Sequence, residues 1–416
     1  MIDLDTWQEI FDSLRRHKMR TALTAFGVFW GIFMLIVLLA VGKGLQNGVY
    51  SQFGNTATNA VYIWGGKTTL PFQGMNPGRW VQLTNKDLEA IRAGIGGIGH
   101  LNANMSLWGE FTILNGTREG SFKVDGDLPD VRFIQRRFVT AGRFLDALDV
   151  RDSRKSAVIG QKVKDTLFPD ENPVGKYLKI KGVYFLIVGV FDINRIGGQS
   201  TDMTSTIHIP LTTLQKVFAQ GDYVGSFGLC PLPGYSATAL ERQICDLLKV
   251  RHKVSPDDQE GIGTWNTEKQ FQSFQGLFKG ISAFMWVVGL GTLIAGIVGV
   301  SNIMLIIVKE RTREIGIRKA IGASPRSIIV MIVQESVFLT SVSGLFGLVG
   351  GIGAIELVNF CMNKFNIHSD YFKDPQVDLS VAVAAVLLLV ASGTVAGLIP
   401  GRKASMIISI EALRSE

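Results

Sequence analysis

At 416 residues the chain has room for two or three units of domain size. Hydrophobic residues make up 47% of it and charged residues only 19%, with the apolar ones clustered, a balance too apolar for an ordinary soluble domain; a membrane protein is expected. The formal charge of +7 would suit nucleic acid, but Lys and Arg gather beside the apolar runs, as topology determinants do, instead of forming a phosphate-binding face.

The first twenty residues place Leu4, Trp7, Ile10, Phe11 and Leu14 at helical spacing ahead of Arg15, Arg16, Lys18 and Arg20. The spacing predicts an amphipathic helix over 1–20 lying on membrane lipid. Residues 21–41 hold no charge and at about 1.5 Å per residue reach about 30 Å, enough for a first transmembrane helix. A cleavable signal peptide would carry its positive region at the extreme N-terminus and a shorter apolar core, so an uncleaved span with its N-terminus inside is expected.

From 43 to 270 the composition is that of a soluble α+β domain, with Gly and Pro turns and scattered charge. Strands are expected at Val61–Trp64, Phe111–Leu114, Ala157–Ile159, Tyr184–Val190 and Thr206–Ile209, and helices at Asn85–Ala93, Gln161–Phe168 and Ala237–Leu248. Phe271, Phe274, Phe278 and Ile281 then form a helical stripe running into 28 uncharged residues, Ile281–Val308. A stalk and second transmembrane helix over 271–308 fit this, as does a tilted span with a separate preceding helix.

Residues 309–326 are a charged island between apolar runs. Glu310 lies one turn before Arg313, and Glu314 one turn before Arg318, the favourable order for helix ion pairs. A short helix is expected, with Gly322 ending it, Ser324 capping the next and Pro325 at that helix's first position. A third span over 328–360 carries Glu335 and Glu356 near its ends, within reach of interfacial water. A short polar hairpin, 359–377, leads to a fourth span, 379–399, which stops at Pro400 and leaves a tail over 401–416. Gly347 and Gly351 in the third span, and Gly289, Gly296, Gly299 and Asn302 in the second, suit helix–helix packing.

Counting charges orients the four spans. The inner flanks hold Arg15, Arg16, Lys18 and Arg20, then Lys309, Arg311, Arg313, Arg318, Lys319 and Arg326, then Arg402, Lys403 and Arg414. The outer hairpin has Lys364 and Lys373 alone, so both termini are expected in the cytoplasm and the 43–270 domain outside.

The run Glu310, Arg311, Thr312, Glu314, Ile315, Gly316, Ile317, Arg318, Lys319, Ala320, Gly322 and Ala323 closely resembles the cytoplasmic coupling segment of MacB/FtsX-like ABC transporter permeases. Gly142-Arg143-Phe144, Asp149, Val158-Ile159-Gly160, Leu167-Phe168, Asn172-Pro173-Val174-Gly175 and Val188-Gly189-Val190 resemble phrases of the same family's extracytoplasmic domain. The resemblance implies a domain in two parts, with a central insertion at roughly 101–191. It also implies that the 310–322 residues dock on a separate cytoplasmic ABC ATPase subunit, which binds ATP and Mg; if closure of that subunit pushes on this segment, charge reversal at Arg311 and Arg318 is expected to uncouple hydrolysis. Further implications are a second permease copy, a periplasmic adaptor protein and the bacterial inner membrane. The tail phrase Glu411–Arg414 departs from the family pattern in having Ile410 where a proline is common.

No catalytic motif competes with this reading. Gly94, Gly96 and Gly99 spell GxGxxG after a helix-like stretch, where a dinucleotide site needs a strand. Ile196–Gln199 lacks the serine of the ABC signature, and no GxxxxGK[ST] occurs, Gly175-Lys176-Tyr177 coming nearest. His17, His100, His208, His252 and His368 make no local metal motif. The expectation is a non-catalytic subunit without bound cofactor, metal or nucleic acid. The expected function is coupling of the ATPase subunit's hydrolysis to extracytoplasmic export by mechanical transmission, and an FtsX-like regulator of an external cell-wall hydrolase is the alternative. A secondary transporter is disfavoured, because no buried charge pair is expected in the spans. Cys230, Cys245 and Cys361 are too few for a disulfide scaffold, and a Cys230–Cys245 bridge stays open.

Overall fold

The computed structural model describes residues 18–52, 56–108, 112–116, 118–193, 203–365, 367, 369 and 371–407. Most of the expected N-terminal helix, the loop at Ile196–Gln199 and the tail beyond 407 lie outside the described residues. The chain divides into two units, Val49–Gly276 and Met1–Gly48 with Leu277–Glu416.

The Val49–Gly276 unit is α+β. Its strands are β1 (Val61–Gly65), β2 (Leu83–Thr84), β3 (Ile98–Ser106), β4 (Ile113–Asn115), β5 (Arg118–Gly120), β6 (Lys123–Asp127) and β7 (Phe138–Gly142). There follow β8 (Ser156–Gly160), β9 (Tyr177–Ile180), β10 (Val183–Asp192), β11 (Thr206–Pro210), β12 (Tyr223–Val224), β13 (Ser226–Pro231) and β14 (Ile262–Asn266). Twelve of them form one sheet in the order β14-β1-β13-β3-β6-β11-β8-β10-β9-β4-β5, with β7 also on β10.

The first four strands of that order are antiparallel neighbours. Helix Ala237–Arg251 packs Leu240, Ile244 and Leu248, four residues apart, into the core, and Ser236 Oγ accepts from Ala239 N at its start. Helix Asn85–Gly94 is started by Asp87, whose carboxylate accepts from Thr84 N at 2.9 Å. The two halves of the sheet meet where β3 pairs with β6, at Met105↔Gly126 and Ser106↔Asp125.

All five residues of β8 and of β11 are buried, as expected for strands covered on both faces, whereas β7 alternates half-buried and exposed residues. Beyond the expected central insertion, strand β11 returns to its strands, lying parallel to β6 and antiparallel to β8. Its sequence separation from β8 hides this pairing, which is made by tertiary contact alone. All three cysteines are free, so the open bridge does not form.

Among the described residues four helices are long and apolar enough to cross a membrane, Lys18–Gln52, Thr267–Glu310, Pro325–Lys364 and Leu379–Ser405, and all four lie wholly or mainly in the other unit. They are called the first to fourth spans below. The fourth span does not stop at Pro400 but continues to Ser405 with the proline inside and buried. A helix proline forfeits one hydrogen bond, a loss that packing by a neighbouring helix can offset.

That packing is visible around the proline. Gly393, Gly397 and Gly401, spaced by four, lay the fourth span against backbone of the third: a Cβ would lie 2.8 Å from Val337 Cα, 2.9 Å from Val333 Cα and 3.4 Å from Ile329 Cα. We expect Gly397→Leu to destabilise this unit by about 1–3 kcal/mol, the usual range for overpacking. Thermal unfolding of the detergent-solubilised chain should show a Tm several degrees lower. Gly353→Leu, at a position opening on space within the chain, should leave it unchanged.

Candidate coupling site

The charged island folds as expected from its spacing. Thr312–Ala320 is a helix, Arg311 is the corner residue between it and the second span, and Gly322 takes φ +109°, a left-handed value that favours glycine. Ser324 Oγ accepts from Ser327 N at 3.2 Å, and Pro325 occupies the third span's first turn.

The short helix has two faces. Ile315 and Gly316 are buried, and Ile315 joins the cluster of Met304, Ile307, Ile328 and Ile332. On the other face Arg313, Glu314 and Ile317 are exposed, and beyond the helix Ile321 is 83% exposed. Glu314 lies 3.5 Å from Arg318 and 3.9 Å from Arg311, and Arg318 Nη1 is 2.9 Å from Met331 Sδ. Thr312 Oγ1 donates to Lys309 O at 2.7 Å. Glu310 is exposed.

Two basic residues of the expected coupling segment bind this chain itself. Arg311 Nη1 lies 3.4 Å from Glu335 Oε2 of the third span, and Lys319 Nζ donates to Ser405 O and Ile407 O at 2.7 and 2.8 Å. Glu335 is therefore not at interfacial water: it is buried, with a charged partner inside the bundle. The sequence could not reveal this, because 24 residues separate Arg311 from Glu335. Glu356 is exposed.

Of the residues expected to pack spans, Gly296 brings its backbone against Gly27, where a Cβ would lie 3.2 Å from Gly27 O. A Cβ at Gly347 would lie 2.5 Å from Phe29 O and one at Gly351 2.9 Å from Ile36 Cγ2, and Gly289 faces Leu35. Gly299 opens on space and Asn302 is exposed. The sequence reading missed the Gly393/Gly397/Gly401 row, although its spacing of four was readable.

A buried polar cluster in the other unit also went unseen. Asp125 and Asp127 on β6 and His208 on β11 offer ligand atoms within 4.8 Å of one another, all three buried. Their oxygens are already engaged. Asp125 accepts from Ser106 Oγ at 2.6 Å and pairs with Lys123 at 2.9 Å; Asp127 accepts from Asn102 and Asn104 at 2.8 Å each. Asp127 Oδ2 lies 2.6 Å from His208 Nδ1, while His208 Nε2 has no partner among the described residues.

Burial would raise the Asp127 carboxyl, but the His208 hydrogen bond and the two asparagine donors overrule it and hold it below the ordinary carboxylate value. Burial, with the Arg137 charge, lowers His208, so the imidazole is neutral and donates from Nδ1. A metal ion would have to break these bonds. The cluster reads as a lock across β3, β6 and β11. Gly94 ends a helix, Gly96 lies in the loop after it and Gly99 stands at the start of β3, the reverse of a dinucleotide unit.

Comparison with known proteins agrees with this architecture. Residues 21–247 match the MacB-like periplasmic core domain, and residues 286–407 the FtsX-like permease C-terminal domain. The macrolide export ATP-binding/permease protein MacB of Rhodospirillum rubrum is 30% identical over 406 residues, covering 97% of this chain and 59% of that protein. Its namesake in Chlorobaculum tepidum is 28% identical over 414 residues, covering 98% and 61%. The pyoverdine export ATP-binding/permease protein PvdT of Pseudomonas entomophila is 29% identical over 408 residues, covering 96% and 58%. The chain thus spans about 60% of the length of these relatives. The crystal structure of the periplasmic region of MacB from Actinobacillus actinomycetemcomitans aligns over 54% of this chain and 95% of that one, with 20% identity and a TM-score of 0.44. With the MacB-like core model matching more than half of its residues and the FtsX-like model most of the remaining spans, the chain belongs to the MacB/FtsX-like family of ABC transporter permeases.

Proposed function

We propose that the chain is the membrane subunit of an ABC exporter and converts ATP hydrolysis on an ATP-binding subunit into motion of its own spans. The observation that carries this reading is the exposed pair Ile317 and Ile321, on and just beyond a short helix whose other face is fixed to the bundle. Exposed apolar side chains rimmed by Arg313 and Glu314 are what a protein partner covers. Relatives named for macrolide and pyoverdine export support efflux as the task.

In this account the Val49–Gly276 unit stands outside the bacterial inner membrane and handles substrate there, while both termini are cytoplasmic, in keeping with the basic flanks. Closure of the ATP-binding subunits presses on residues 309–326, and the displacement passes through the spans to the external unit. A second copy of the permease completes the assembly, and a periplasmic adaptor is a further partner. ATP and Mg reside on the ATP-binding subunit.

The test is ATPase activity in nanodiscs, first of the chain alone and then with its ATP-binding subunit. The reading predicts an inactive chain that binds and stimulates that subunit. ATP hydrolysis by the chain alone, or failure to engage an ATP-binding subunit, would contradict it.

A further inference from the structure

We infer that Arg311, Glu335 and Lys319 clamp the coupling helix to the third and fourth spans, and that force delivered to this helix enters the bundle through those side chains. The inference rests on the proposed coupling function and adds the route and the positioning residues.

Glu335 is the eleventh residue of the third span, about 15 Å along the helix from its start at about 1.5 Å per residue. A carboxylate 3% exposed at that depth in an apolar helix is costly without a charged partner. Arg311 supplies the partner from the corner where the second span turns into the coupling helix. One end of the coupling helix is thereby tied to the third span.

The other end is tied to the fourth. Lys319 Nζ donates to the carbonyls of Ser405 and Ile407, where the span ends and its unpaired carbonyls present negative charge. Eight residues separate the two clamps, roughly 12 Å along the helix. The second span joins the same short helix through Arg311. Three spans are therefore fixed to one element about 13.5 Å long, which cannot tilt without moving them or breaking a clamp. Arg311 and Lys319 face inward, so they act as positioning residues, while the exposed isoleucines take the partner.

The test uses the permease assembled with its ATP-binding subunit. Glu335→Ala and Lys319→Met should each retain co-purification and the KM for ATP, yet lose about tenfold of the stimulated hydrolysis rate, within the roughly 5- to 150-fold range of coupling effects. The swap Arg311→Glu with Glu335→Arg should restore most of it, a rescue that a mere loss of packing would not give. Full stimulation in both single variants overturns the clamp and leaves the proposed function standing. Loss of co-purification also overturns it, by making these residues docking determinants. Should Glu335→Ala fail to accumulate, the swap decides: a folded but uncoupled swap counts against the clamp, and recovered stimulation supports it. If the unmodified complex shows no stimulation, the proposed function itself fails and the clamp with it.

Discussion

Replacing Ile317 and Ile321 together by Glu is expected to cut stimulation of the ATP-binding subunit by about 30-fold or more while the permease stays folded. Both side chains are exposed, at 42% and 83%, so charging them removes nothing from the bundle's own core. Placed at the centre of an interface, each would leave a carboxylate desolvated and unpaired, and such central residues commonly cost about 2 kcal/mol or more, roughly 30-fold in affinity. The neighbouring Ile315 provides the contrast. It is 3% exposed, and Ile315→Ala should cost about 2–5 kcal/mol of stability, lowering the Tm of the permease by itself. A coupling defect without a stability defect at 317 and 321, and a stability defect at 315, would separate the two faces. ATPase assays and thermal unfolding on the same preparations measure both.

The second large effect is expected at Asp127. Asp127→Ala strips the partner from His208 Nδ1 and from Asn102 and Asn104 inside the sheet. Breaking a buried polar pair of this kind costs about 3–5 kcal/mol, enough to unfold many domains. The same cluster sets a pH dependence. Both His208 and Asp127 are held below their ordinary values, so the unfolded chain binds more protons than the folded one as the medium is acidified. The stabilisation they give is complete at neutral pH. His208's share falls as pH drops below about 6.5, and that of Asp127 below about 3.9. Chemical denaturation of the full chain at pH 7.5 and pH 5.5, read from tryptophan fluorescence, should show lower stability at the acid value. His208→Gln should flatten that difference, and an unchanged slope in the variant would remove His208 as its source.

Much of the fold was legible because its signals are local. The strands at 61, 157, 184 and 206 and the helices at 85, 161 and 237 announced themselves through alternation, helical spacing and turn residues, and they appear where expected. The short helix Thr312–Ala320 was equally readable, since Gly322, Ser324 and Pro325 act on neighbours within three residues. What failed was long-range. Strand β11 joins the central part across a sequence gap, and Glu335 finds Arg311 24 residues away. His208 reaches Asp127 across 81 residues, so the histidines looked unrelated when only short spacings were compared. Pro400 misled for a different reason. The rule that proline ends a helix describes a helix in water, whereas here Gly397 and Gly401 let the third span hold the turn on either side of it.

The inward turn of Arg311 changes which charge reversals bear on docking. Reversal at Arg311 now tests the clamp to Glu335, whereas Arg313 and Glu314 stand on the exposed face beside the isoleucines. Arg318 is half-buried against Met331 and Glu314, so its reversal disturbs both faces.

The most direct test of the central claim is site-specific photo-crosslinking in the assembled complex, with the probe at Ile321 and, separately, at Ile315. The account predicts a crosslink from position 321 to the ATP-binding subunit and none from the buried position 315. A complex that co-purifies with the ATP-binding subunit but gives no crosslink from 321, or gives it equally from 315, would contradict docking on this helix face.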